Sequence, residues 1–260
     1  MSSLDVTVWG VAASLLLVGV GVGLSLWERL GLERSIVWAS VRALVQLGVI
    51  GAGLGLVLSA DAPMVLSWMW VLAMVVVGAA TVAKRARAVP GTFRIAFLSL
   101  GAAESISLLV VFGFGVFPLE SRTLVPVAGM LLGNCIAATV LAARRTHDEI
   151  REHVEQIEVR LSLGMTGSSA VRPHLGTALT TAISPQIEQT KIVGLIALPG
   201  TMTGLILAGM SAKNAVLAQM VVMFAILGSV VVTAVLVGRG VSRALVTADH
   251  RVIVDELGVG

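Results

Sequence analysis

A handful of residues could do chemistry inside otherwise apolar stretches of this sequence. Arg42 lies within the apolar run 36–58, one helical turn from Gln46, so a helix would carry both on one face. Glu104 is the one carboxylate well inside an apolar run, ten residues past Arg94. A charge in hydrocarbon costs about 2.5–3.5 kcal/mol on insertion scales, so intramembrane charges mark ion paths, proton relays or buried pairs. Arg42 could snorkel to an interface, hold an anion or pair with an acid. Glu104 could pair with Arg42, carry a proton or hold a cation. Pro199-Gly200 interrupts another apolar run, where freed carbonyls could coordinate a cation or the helix could simply kink to pack. Asn134 reads as an interhelical hydrogen-bonding group. Met202, with Met210, Met220 and Met223, offers soft sulfur, although methionine is also ordinary core filler. The histidines are His147, His153, His174 and His250; no pair of them has the i,i+4 spacing of a helical metal site, so the sequence predicts no preformed His/Cys centre and leaves any metal ligands unknown. The lone Cys135 cannot form an intrachain disulfide. No Gly-x-x-x-x-Gly-Lys-Ser/Thr run occurs, so ATP is not bound by that route. No catalytic residue and no cofactor of this chain is assigned.

The elements that must position these residues follow from composition. Of 260 residues, 57% are hydrophobic and 13% charged, against about 25% charged in a soluble domain. Mean hydropathy is +0.97. A soluble enzyme, a disordered chain and a disulfide scaffold are excluded. The pI near 9.7 does not signal nucleic acid, because the basic residues are scattered over short loops. Apolar runs near 6–27, 36–58, 63–83, 95–117, 123–143, 192–209 and 215–238 predict an all-α polytopic membrane protein, with seven transmembrane helices in a single domain over 1–260. No Lys or Arg precedes Arg29, so the first run reads as a retained span rather than a cleaved signal. Fifteen of the 18 basic residues fall on one side of this arrangement, which places the N-terminus outside and the C-terminus in the cytoplasm of a cell (inner) membrane protein. The pairs Gly19/Gly23, Gly51/Gly55, Gly129/Gly133 and Gly200/Gly204 suit close helix packing in lipid, within one bundle or between subunits.

The charged stretch 144–190 is expected to be cytoplasmic. Ile150, Val154, Ile157 and Leu161 recur at spacings of 4, 3 and 4, an amphipathic stripe, with Arg145–Glu149 and Arg151–Glu155 as i,i+4 pairs. Such a helix either caps the bundle or docks a partner. The following run, Glu158 with Leu163-Gly164 and then Val171-Arg172, resembles the coupling loop of ABC-transporter permeases, with Val159 and Arg160 in place of two alanines. Gly164 would permit a sharp turn, and a short helix after it would present a compact knob.

Three further stretches sharpen the resemblance: Val41-Arg42-Ala43 with Gln46; Val125-Pro126 with Gly129, Met130, Gly133 and Asn134; and Glu188 through Leu198-Pro199-Gly200 to Met202 and Gly204. Together they resemble the iron-export ABC permease family (FetB-like), which includes relatives linked to aluminium tolerance in plants. The likeness runs from about residue 30 to 225; Glu188 stands where that family has Asp, and Thr201 where it has Met. The resemblance implies a permease subunit exporting iron or a related metal ion, working as a homodimer in membrane lipid. ATP would be bound and hydrolysed by a separate cytoplasmic ABC ATPase subunit. A self-sufficient ion- or proton-coupled secondary transporter, with Glu104 as coupling carboxylate, is the alternative. Glu158, Leu163, Gly164, Val171 and Arg172 are then the expected ATPase-coupling residues. Arg42, Gln46, Glu104, Asn134, Glu188, Pro199, Gly200 and Met202 are the expected substrate-pathway residues.

Overall fold

The computed structural model describes residues 8–57, 63–194, 199–246 and 252–253. These residues are helical apart from turns and one isolated bridge, Val246 to Val252. The chain divides into two compact units, Met1–Ala62 and Pro63–Gly260.

In the first unit, α1 (Val8–Trp27) and α2 (Glu33–Val57) are joined by a tight turn. Arg29 and Gly31 take left-handed φ there, of 53° and 68°. Ser25 fixes the turn: its hydroxyl donates to Glu33 Oε1 (2.8 Å) and accepts from the Leu32 amide (3.3 Å).

The second unit holds α3 (Met64–Arg85), α4 (Thr92–Gly113), α5 (Ser121–Glu152), α6 (Val154–Ser162), α7 (Gly167–Ile192), α8 (Gly200–Leu207) and α9 (Ala212–Leu245). The long helices α5 and α9 pack on each other and form its spine; α4 lies against α3 and α9, and α7 against α5 and α9. Two clusters of small and β-branched side chains fill it. One joins Val75 and Val82 of α3, Leu100 and Val111 of α4, Leu124 and Leu131 of α5, and Val230 of α9. The other, at the end marked by Arg85, Arg144 and Arg239, joins Ile150, Ile157, Val171, Val237 and Val241. At this basic end Arg144 Nε donates to the Arg85 carbonyl (2.7 Å), tying α5 to α3. Deep in the bundle the Ser107 and Ser229 hydroxyls meet at 2.6 Å, joining α4 to α9. Large apolar side chains such as Val77, Leu98, Leu109 and Phe224 point outwards, as expected of helices whose solvent is lipid.

Among the described residues four helices, α3, α4, α5 and α9, are long and apolar enough to cross a membrane; a shorter apolar stretch runs over Ala13–Trp27. The run 192–209, expected as one span, is not one helix. α7 ends at Ile192, Val193 is extended, Gly194 takes φ +85°, and α8 has only eight residues, about 12 Å of helix. Pro199 stands at the N-cap of α8, where its missing N–H costs no helical bond. Leu198 lies outside the described residues.

The segment 144–190 folds back onto the bundle. Its first part continues the fifth apolar run as a single 32-residue helix, α5. Its second part, α7, runs along α9. Gly167 lies beside Val246, Leu175 and Leu179 press on Gly238, and Ala182 shares a core with Ala234. Gly238 fits closely there, since a Cβ would lie 2.9 Å from both leucine methyls and 3.3 Å from Thr146 Oγ1.

Candidate functional site

The turn between α6 and α7 is built as its sequence suggests. Leu163 caps α6, and Gly164 takes φ +83°, a left-handed conformation costly for any residue with a Cβ. Thr166 caps α7 by accepting from the Ser169 amide (3.4 Å). Arg160 reaches across the turn and donates to the Ala170 carbonyl (3.0 Å), while Ile157, Leu161 and Val171 are buried beneath it. Leu163, 78% exposed, crowns the turn as an apolar knob, and Glu158 and Arg172 are exposed on the flanking helices. Val171 therefore anchors the knob from below. The helix after Gly164 is not short: it is α7, 26 residues long, because its apolar side packs along α5 and α9. The stripe of Ile150, Ile157 and Leu161 faces inward as expected, but the helix breaks at His153 between α5 and α6.

The residues expected along a substrate path fall in several places. In the first unit, Gln46, with its amide oxygen turned to the guanidinium, accepts from Arg42 Nε (3.1 Å) and Nη2 (3.3 Å). In the second unit Glu104 of α4 is 3% exposed, and its Oε1 has no hydrogen-bond partner. It borders an apolar groove of about 530 Å³ between α3 and α4, lined also by Trp68, Phe97 and Phe112. Among the described residues Asn134 does not bond across helices; its Nδ2 donates to the Met130 carbonyl one turn back on α5 (2.8 Å), which is in reach without any partner helix. Pro199 caps α8, which packs on α9 and touches α5 where Thr201 donates to Met130 Sδ (3.5 Å); Met202 beside it is half-buried. Gly200 is exposed, and a Cβ there meets nothing within 4 Å among the described residues. Glu188 pairs with Lys191 at 2.8 Å on the exposed side of α7. Thr177, Thr180 and Thr181 share that exposed side and donate to their own helix's carbonyls four residues back.

The histidine spacing predicts no preformed His/Cys centre; in the structure two histidines and one carboxylate nonetheless lie close together. Glu149 Oε2 lies 3.7 Å from His153 Nδ1 and 4.0 Å from His174 Nδ1, and the two imidazoles stack with centroids 4.4 Å apart. The Glu149 to His153 spacing of four residues was visible in the sequence, since a carboxylate serves as well as a second imidazole. His174 joins them only because α6 and the turn at Gly164 reverse the chain. Glu149 is thereby drawn to the histidines and makes no ion pair with Arg145; Arg151 and Glu155, on either side of the break at His153, make none either. Burial pushes the His174 pKa below its ordinary value; neighbouring His153 and Arg160 push the same way, and Glu149 opposes them.

A family described as "Uncharacterised protein family (UPF0014)" matches residues 8–246. The chain is 37% identical over 207 residues to "UPF0014 membrane protein STAR2" of Oryza sativa subsp. japonica, covering 78% of this chain and 71% of that one. It is 35% identical over 206 residues to "Protein ALUMINUM SENSITIVE 3" of Arabidopsis thaliana, covering 78% and 74%. It is 31% identical over 215 residues to "Probable iron export permease protein FetB" of Escherichia coli (strain K12), covering 83% of each. No solved structure matches the chain significantly.

Proposed function

The chain belongs to the UPF0014 family of membrane proteins, and from that premise we propose that it is the membrane-spanning permease subunit of an ABC transporter exporting iron or a related metal ion. Two copies form the membrane part, and two separate ATPase chains dock on the cytoplasmic face of the cell (inner) membrane, where the basic end of the bundle and the C-terminus lie. The observation that carries this reading is the α6–α7 turn. A helix-flanked apolar knob, held by a glycine at φ +83° and braced by the Arg160 bond to Ala170, is what a groove on a moving ATPase needs as a handle. Closure of the ATPases would push on Leu163, and α7 and the end of α5 would pass the displacement into the bundle. The name of the Escherichia coli relative supports the cargo class.

The alternative, a carrier driven by a proton or ion gradient, draws on one observation: Glu104 is buried beside a groove with an unpartnered oxygen, a suitable proton carrier. One experiment separates the two. The permease is reconstituted in vesicles with and without its ATPase, and iron(II)-stimulated ATP hydrolysis and iron movement are followed. The ABC reading expects movement only with ATPase and ATP. Gly164→Val should cut stimulation at least tenfold while the protein still inserts, because left-handed φ strains a β-branched residue by about 1–3 kcal/mol. Gradient-driven movement by the permease alone would overturn it.

A further inference from the structure

We propose that Glu149, His153 and His174 form a binding site for a divalent first-row transition ion, and that the bound ion braces the α6–α7 turn. Each residue offers one ligand atom, and these atoms lie within 4.8 Å of one another. Ions of this class bind imidazole nitrogen and carboxylate oxygen at about 2.0–2.2 Å, so ligands sharing one ion sit up to about 4 Å apart. The cluster needs only small side-chain rotations to close.

The independent pointer is His174. Its side chain is nine-tenths buried, Nε2 has no hydrogen-bond partner, and Nδ1 stands 4.0 Å from the nearest carboxylate oxygen, beyond bonding distance. A buried imidazole with no hydrogen bond among the described residues is costly, and an ion taken at Nδ1, the nitrogen that faces Glu149 Oε2, would give the ring a partner it otherwise lacks. His153 holds its own Nδ1 2.9 Å from the Glu149 carbonyl. In the ion-free protein that nitrogen carries the ring proton and donates it to the carbonyl; an ion entering between His153, His174 and Oε2 binds the other neutral tautomer, the proton leaving Nδ1 for water while Nε2 takes one up, so the Nδ1 lone pair binds with no net proton released. His153 and Glu149 are partly exposed, which leaves the ion an entry path and room for water ligands.

The ligand set fixes the class. Two imidazoles and one carboxylate, with coordination positions left open, suit Fe(II) and its neighbours Mn(II), Co(II) and Zn(II). Mg²⁺ and Ca²⁺ prefer all-oxygen sites, and Cu(I) prefers sulfur. The placement gives the consequence. Glu149 lies in the last turn of α5, His153 is the residue at which α5 breaks into α6, and His174 lies on α7 beyond the turn. An ion bound to all of them staples α5 to α7 across α6 and stiffens the knob on which Leu163 sits. Binding is independent of the transport reading; the link to ATP hydrolysis rests on it.

The test uses the full-length protein without a polyhistidine tag, stripped of metal in detergent. Co(II) is titrated as a spectroscopic probe, and Fe(II) is titrated anaerobically by calorimetry. The expected result is one ion per chain, a visible Co(II) ligand-field band, and a rise in melting temperature. His153→Gln and Glu149→Gln should weaken binding at least tenfold, and His147→Gln should leave it unchanged. His153 is partly exposed, so its variant stays informative if His174→Ala fails to fold. Stoichiometry below one, or equal affinity in wild type and His153→Gln, overturns the site. With the ATPase present, Fe(II) stimulation of hydrolysis should fall in His153→Gln; binding lost with stimulation unchanged overturns the brace. If no ATPase associates while Co(II) still binds, the transport reading fails and the site stands.

Discussion

At the scale of single residues, two positions carry costs that mutation can read. Gly238 sits where α5, α7 and α9 converge, and any Cβ meets Leu175, Leu179 and Thr146. Gly238→Val is therefore expected to destabilise the protein by about 1–3 kcal/mol, the range for overpacking a filled core. Gly238→Ala should cost less, because leucine methyls can rotate aside; melting temperatures in detergent check both. Glu104 is the opposite case. Its unpartnered Oε1 costs stability, since a buried unsatisfied polar group carries a penalty of about 1–3 kcal/mol. Glu104→Leu should raise the melting temperature and, if cargo or protons use the groove, lower transport. A fall in melting temperature would reveal a partner for the carboxylate in the working assembly. Residues of this kind were unevenly legible in the sequence. Gly164 and the Arg42–Gln46 face follow from local spacing and could be read. Gly238 could not, because nothing local distinguishes a glycine that another helix needs from one that packs on nothing.

At the scale of elements, sequence periodicity found where helices lie but not how they are cut and joined. The apolar run 123–143 and the charged stretch after it have different compositions, yet they form one helix, because a helix continues wherever no residue stops it. The run 192–209 has uniform composition, yet α7 ends at its start, Gly194 takes a left-handed φ, and a separate short helix begins after Pro199. The role of α7 was hidden for a different reason: its mixed polarity reads as a surface helix until Leu175, Ala178 and Ala182 are seen facing α5 and α9. Its other side, with Thr177, Thr181 and Glu188, is exposed in the single chain, and the proposed permease dimer predicts that it lines a water-filled path between the copies. Cysteines placed at Thr181 and Glu188 should react with a water-soluble thiol reagent in intact membranes, and one at Ala182 should not. The native Cys135 is 1% exposed and should remain silent. Equal labelling at all three positions would remove α7 from the path.

For the whole molecule, the orientation inferred from the basic residues has a direct check. Lys213→Cys lies at the start of α9 and Ser168→Cys at the start of α7, both exposed and at opposite ends of the second unit. An impermeant reagent added to whole cells should label the first and spare the second; the reverse would invert the topology. The unbroken α5 has a consequence of its own. Its 32 residues make a rod of about 48 Å, with Pro126 near one end and Glu149 near the other. Moving as one piece, such a rod would act as a see-saw. A tilt of about 10° about its middle swings each tip by about 4 Å in opposite directions. In the proposed transport cycle a pull on the Glu149 tip would then move the Pro126 tip in antiphase, so that one end of the bundle opens as the other closes.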